Sequence, residues 1–268
     1  MLGTSLIEEL VQSVALSHQI KGHKRVSALL MAAPESGKTT IATAADCAHI
    51  RRVAMISGRS ILQQIKDNPE IEFLLFNDLS SVRAMSQSAV NFLIVILNQV
   101  TQDEVGIVAF AGKEVEEIKR PLGIIGCIPF DTFRDHRAKW KELGFISRML
   151  PFAYQYPTTL IATIKDGIDN GAARLNASPT RKMPKSGKKL YTVRMNSTIT
   201  RHVRHLADER SESLGQLGIR LLQNYHCLIR ARALLHKRDD VIADDLKFLR
   251  AVDSHVSITE CRSLEPSQ

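Results

Sequence analysis

Seven residues, Val26–Ala32 (VSALLMA), run into a turn and then into helix-forming sequence without a break, and this limits the folds open to the chain. The run is short and apolar, as expected of a strand buried on both faces of a parallel sheet. Pro34 to Gly37 supply turn chemistry, and Lys38 to His49 then reads as an Ala/Thr-rich helix. The same alternation recurs downstream. Val53–Ile56 and Phe73–Phe76 are further short apolar runs, with a short helix around Ile61–Ile65 between them and a long one over Ser86–Val100. Val105–Phe110 and Pro121–Ile128 are expected strands, with Ala111-Gly112-Lys113 making a hairpin-like turn. Ahead of them all, Leu6, Leu10 and Val14 mark an amphipathic first helix. Strands alternating with helices predict an α/β fold, a parallel sheet covered on both faces.

Composition changes at Ser178–Lys189 (SPTRKMPKSGKK), which has two prolines, one glycine, five basic residues and no acid. This reads as a loop or linker. Beyond it the pattern is helical, over Ile199–Ala207, Leu214–Leu235 and Asp244–Val252, with Leu217, Leu221, Tyr225, Leu228 and Leu235 forming one apolar stripe. The expected organisation is an α/β core over residues 1–165, a basic linker over 166–192, a small helical domain over 193–258 and a tail over 259–268.

Within the first strand–turn–helix unit, Ala32-Ala33-Pro34-Glu35-Ser36-Gly37-Lys38-Thr39 follows the G-x-x-x-x-G-K-[ST] pattern, with Ala32 in place of the first glycine. Each residue type has a physical reason. Successive N–H groups of Pro34-flanked Glu35, Ser36, Gly37, Lys38, Thr39 and Thr40 can face a phosphate. Gly37 permits the turn, Lys38 reaches the β- and γ-phosphates, and the Thr39 hydroxyl suits Mg²⁺. The expected ligand is therefore ATP with Mg²⁺. Such a site needs an aspartate at the end of a buried strand to hold the metal, and Asp78, after Phe73–Phe76 and Asn77, supplies it. Leu79 stands where a carboxylate that activates water is usual, so hydrolysis is an open question at this stage.

With these motifs in order, the chain resembles the AAA+ ATPases, in particular the helicase-like branch that includes the minichromosome-maintenance proteins and, within it, compact forms from phages and mobile elements. The resemblance is carried by the phosphate loop, by Asp78, by the long helix and hairpin that follow, and by Gly144-Phe145-Ile146-Ser147-Arg148-Met149-Leu150-Pro151. Gly218-Ile219-Arg220 and Val241–Leu246 are similar to parts of that family's helical lid. The resemblance implies a P-loop α/β core with an all-α lid, and an assembly of identical subunits in a ring or filament. It implies Arg148 reaching a neighbour's nucleotide in trans, Arg220 sensing nucleotide in cis, and Lys113 meeting DNA from the hairpin. It also sets out the departures: Ala32, Leu79, and no asparagine at the end of the strand over Gly123–Ile128, where Cys127 and Ile128 stand and Thr132 is the nearest polar residue.

The net charge of +8 suits a polyanionic partner, while aromatics at 5 % offer no base-stacking platform. DNA is expected to be held through its backbone, independent of sequence. Besides Lys113, Arg134–Lys141 and Arg181–Lys189 are basic groupings that read as a solvated helix face and a solvated loop. Cys47, Cys127, Cys227 and Cys261 are far apart, which predicts neither a zinc site nor a disulfide framework but reduced thiols in a cytoplasmic protein. No apolar run reaches 18 residues, so no membrane span is expected. His202 and His205 read as a surface pair, and no Gly-x-Ser-x-Gly nucleophile elbow occurs. Two other functions fit parts of the sequence. One is a nucleotide-dependent switch or adaptor with little hydrolysis, and the other is a monomeric phosphotransferase.

Overall fold

The computed structural model describes residues 5–42, 49–53, 58–102, 106–110, 113–118, 121–169 and 189–264. An opening helix, α1 (Ser5–Leu16), buries Ile7, Leu10, Val11 and Val14. Then follow β1 (Ala28–Ala32), α2 (Lys38–Ala42), β2 (Ile50–Val53), α3 (Gly58–Asp67), β3 (Phe73–Phe76) and α4 (Gln87–Val100). The chain continues through β4 (Gly106–Phe110), β5 (Lys113–Ile118), β6 (Gly123–Pro129), α5 (Phe130–Glu142), β7 (Leu150–Gln155) and α6 (Thr158–Asp169). After residue 188 come α7 (Ser197–Leu214), α8 (Ile219–Leu235), α9 (Ala243–Ser254) and a two-residue strand, β8 (Arg262–Ser263).

Six strands form one sheet in the order β2-β3-β6-β1-β7-β8, and every pairing in it is parallel. Its central strand, β1, is buried at all five positions, as a strand covered on both faces must be. β4 and β5 stand apart as an antiparallel pair. The fold is thus α/β with a six-stranded parallel sheet flanked by helices.

Three sequence expectations change. The predicted helix over Leu214–Leu235 is two helices, because Gly215 ends α7 in the left-handed region (φ 61°) and Gly218 (φ 76°) precedes α8. Leu221, Tyr225, Leu228 and Leu235 of the predicted stripe are buried, but Leu217, in the link, is 93 % exposed. The helices α7–α9 also share one apolar core with the sheet, since Tyr225, Leu228, Leu249 and Val252 belong to the same buried cluster as Leu29 and Leu30. Ion pairs of the buried Arg232 tie the last helices together and to the first: it meets Glu9 of α1, and Asp244 and Asp245 of α9. Finally, the tail returns to the sheet as β8 beside β7, with Leu264 N–H donating to Gln155 O at 3.0 Å.

Other boundaries shift by a few residues. The strand expected over Val53–Ile56 is observed at Ile50–Val53, and residues 54–57 lie outside the described residues. So do residues 43–48 of the helix expected from Lys38, together with Cys47. β7 was not anticipated. Its Pro151 and polar end hide a strand whose five residues Leu150–Tyr154 are all buried.

Candidate functional site

Because the strands run one way, the segments leaving β1, β3, β6 and β7 collect at one edge of the sheet, the usual place for a site in such a fold. Ala32 is still part of β1, paired with Pro129 and fully buried. Among the described residues the only non-glycine residues with positive φ are Glu35 and Lys237, so the backbone at Ala32 does not require the glycine that the motif has there. The tight geometry falls at Glu35 (φ 61°) and Gly37 (φ 69°). A side chain in that region costs about 1 kcal/mol, which Gly37 avoids and exposed Glu35 bears.

Lys38 opens α2 and is nearly buried. Its ammonium folds over the turn and donates to Ala32 O (3.1 Å), Ala33 O (2.6 Å) and Ser36 Oγ (3.2 Å). Burial pulls its pKa below the ordinary lysine value, partly offset by Cys127, Asp78 and Cys261. A cation held in the hollow of a turn by neutral carbonyl and hydroxyl oxygens is poised to exchange them for an anion. Ser36 is buried, and its carbonyl accepts from the Tyr154 hydroxyl at 3.4 Å. Pro34 is exposed and Thr40 half-buried.

The segment leaving β3, which is separated from β1 by β6, meets this loop through Thr39, whose hydroxyl donates to Asn77 O at 3.0 Å. Asn77, the first residue past β3, keeps its side-chain oxygen buried and without a hydrogen-bond partner. Asp78 is exposed, and its carboxylate accepts from Ser80 N–H (2.8 Å) and Ser80 Oγ (2.7 Å). Leu79 turns inward. It is 2 % exposed, its N–H donates to Cys127 O (2.8 Å), and it packs where a Cβ on Gly126 would come within 3.0 Å of it. The position after Asp78 is therefore part of the core.

The sequence analysis gives Asn77 no role because the motif assigns the metal to the carboxylate of Asp78, although Asn77 is the first residue after the apolar run Phe73–Phe76. Tyr154 and Tyr156 were missed with β7, although the Tyr156 hydroxyl lies within 3.7 Å of a Cβ position at Gly37. Burial raises the Tyr156 pKa to about 12. Cys127 packs beneath the loop, with its Sγ 3.6 Å from Lys38 O, and burial pushes its thiol to about 12. It is a neutral floor, not a nucleophile. Thr132, in the first turn of α5, is fully buried with an unpartnered hydroxyl.

Arg148 and Arg220 are not brought to this edge. Arg148 precedes β7, whose Leu150 pairs with Ala28 at the start of β1, whereas the phosphate loop follows the end of β1. The strand between spans about 13 Å at ~3.3 Å per residue. Arg148 donates to Gly144 O at 2.6 Å, its Nε is buried without a partner, and Arg220 donates to Ser147 Oγ at 2.9 Å. Burial, then the charge of Arg220, lowers the Arg148 pKa. The two arginines thus form one cationic corner, and the cis role expected of Arg220 at its own chain's loop is not what this geometry supports. Lys113 begins β5 opposite Phe110, but its side chain and the Ala111–Gly112 turn lie outside the described residues.

Among the described residues no group of three His, Cys, Asp or Glu side chains could hold a metal ion by itself. No helix among them is long and apolar enough to cross a membrane. No protein-family model and no curated protein matches this chain.

Proposed function

We propose that the chain binds ATP with Mg²⁺ at the carboxyl edge of β1 and works as an AAA+-type, nucleotide-controlled oligomer on nucleic acid. The observation that carries this reading is the Lys38 ammonium, drawn into the hollow of the Ala33–Gly37 turn and flanked by the Thr39–Asn77 bridge. A triphosphate offers the same ammonium stronger acceptors than carbonyls do. The residues fit Mg²⁺ in the way that ion prefers, with few protein ligands and retained water. Thr39 and the unpartnered Asn77 oxygen would hold its inner side and Asp78 its outer side. The ion, when bound, neutralises charge on the phosphates.

Isothermal calorimetry of ATP·Mg²⁺ against the wild-type chain and Lys38→Ala tests the reading. Binding that is absent from the variant supports it, and equal affinity in the two overturns it.

Two features shape the activity within this reading. Leu79 is built into the core, so water activation falls to Asp78 itself, whose carboxylate is engaged with Ser80. This supports a switch or adaptor with slow turnover over a fast motor. The Arg148–Arg220 corner carries two guanidinium groups, and no acidic group is among the influences on Arg148. In an assembly both would face a neighbouring copy, where a bound triphosphate supplies the missing negative charge. Light scattering with and without a non-hydrolysable ATP analogue tests this, and growth in mass that Arg148→Ala abolishes is the expected result.

A further inference from the structure

Acidic residues are unevenly placed along the chain. Between Asn170 and Ala207 there are nine Lys and Arg and no Asp or Glu, enough to account for the whole +8 excess. Ser213 to Arg238 is also free of acid. In the fold, parts of these stretches meet the loop ahead of β1. Tyr191 N–H donates to Gln19 O (2.7 Å) and Lys21 N–H to Tyr191 O (2.9 Å), so Lys189 and Lys21 lie on adjoining backbone. The Lys189 ammonium lies 5.1 Å from the centre of the Tyr191 ring. From α8, Arg230 Nε donates to Val193 O (3.1 Å), and its Nη1 donates to His226 O (2.8 Å) and lies 3.2 Å from His226 Nδ1.

Four arginines of this region are neutralised. Arg194 pairs with Asp240, Arg210 with Asp253, Arg232 with Asp245, and Arg238 with Asp245. Arg204 and Arg230 have no carboxylate partner among the described residues. Burial first, then the charge of Arg230, lowers the pKa of both His23 and His226, and Arg204 adds to the effect on His226. No acidic side chain is among the influences on either histidine. Such a face gains most from a partner bearing closely spaced negative charges.

We propose that Lys21, His23, Lys189, Arg204, His226 and Arg230 form a docking face for the phosphate backbone of a nucleic-acid duplex. The proposal rests on the nucleic-acid part of the function above but is independent of the nucleotide site and of the hairpin lysine. A duplex is favoured over a lipid surface because the inner groups, the neutral His226 and the Arg230 cation, are half-buried and Arg230 is fixed by main-chain bonds. None of the six residues is apolar, and the large apolar side chain exposed beside them among the described residues is Leu190, so insertion into a bilayer has little to drive it. Few aromatics favour a duplex over a single strand.

The test is fluorescence anisotropy with a labelled mixed-sequence duplex, without nucleotide, over a series of KCl concentrations. It compares wild type, the exposed double variant Lys21→Gln/Arg204→Gln, Arg230→Gln and Lys113→Ala. Two lost phosphate contacts should lower the log–log salt slope by about 2 and weaken binding about tenfold at physiological salt. The double variant changes only exposed side chains, so its result stands even where Arg230→Gln unfolds. Wild-type affinity and slope in the double variant overturn this face, and a loss confined to Lys113→Ala then assigns the duplex to the hairpin and leaves the nucleic-acid reading intact. No binding of duplex by the wild type overturns both. Binding instead to phosphatidylserine–phosphatidylcholine vesicles likewise overturns the proposal.

Discussion

Thr39 Oγ1 and the Asn77 carbonyl, 38 residues apart in sequence, are joined by a 3.0 Å hydrogen bond that locks the start of α2 to the end of β3. The bond ties the hydroxyl to the residue whose side-chain oxygen is buried without a partner, and the proposed Mg²⁺ would draw on both groups. Thr39→Val keeps the shape and removes the donor. We expect ATP affinity to become independent of Mg²⁺ in calorimetry, while stability falls by no more than about 1 kcal/mol, as for a single exposed hydrogen bond. Undiminished Mg²⁺ dependence in the variant would exclude Thr39 as a metal-side residue.

Lys38 tests whether its residue serves the fold or a ligand. Its ammonium is desolvated and held by neutral acceptors only, so the fold gains little from the charge. Lys38→Met, which keeps the stem, should melt within a few degrees of wild type yet lose ATP binding by about 100-fold or more, the worth of about two charge-assisted hydrogen bonds. Unfolding of this variant would make Lys38 a structural residue.

Leu79 cannot be exchanged for the carboxylate that a fast ATPase has after its metal aspartate. Leu79→Glu buries a charge against Gly126 and Leu29, so we expect destabilisation of about 2–4 kcal/mol in urea and no gain in phosphate release. Gly126→Ala pushes a methyl into the same leucine and should cost about 1–3 kcal/mol. A folded Leu79→Glu chain with raised turnover would refute the inward placement.

Asp245 is fully buried and receives Arg232 Nη1 (2.7 Å), Arg238 Nη1 (2.6 Å) and Nη2 (2.7 Å), and the Ile242 N–H (2.9 Å). Burial opposes its charge, but the bonds from Arg238, Ile242 and Arg232 outweigh it and hold the carboxyl below its usual value. Asp245→Ala leaves Arg232 buried with less compensation, and we expect a loss of about 3–5 kcal/mol by urea titration. A loss below ~1 kcal/mol would show the network to be dispensable.

His18 and His49 lie with ring centres 4.5 Å apart and planes tilted by 45°, and burial lowers both pKa values, that of His18 to about 4. The unfolded chain then binds protons that the folded chain refuses. Stability is full above the ordinary histidine value of about 6.5 and is lost as pH falls toward 4, by up to about 1.4 kcal/mol per pH unit for each histidine. His23 and His226 act with the same sign. Urea midpoints at pH 7.5 and 5.5 should show the loss, and His18→Asn should reduce it; an equal loss in the variant would remove His18 from the account.

The sequence by itself determined the elements whose signals are local. The apolar runs Val26–Ala32 and Phe73–Phe76 had to be buried strands, and Gly37-Lys38-Thr39 had to follow a turn, because periodicity and turn chemistry act over a few residues. The boundary at Gly215–Gly218 was equally local, and was missed because the apolar stripe was extended across two glycines. Tertiary structure decided everything that depends on which strands are neighbours. Only the order β2-β3-β6-β1-β7-β8 sets Asn77 against Thr39, turns Leu79 into the core, and carries Tyr154 and Cys261 toward the phosphate loop. The same order sends Arg148 and Arg220 to the opposite edge. Pairings across 38, 73 or more residues leave no trace in a local pattern, since the chain chooses them by burying the whole sheet at once.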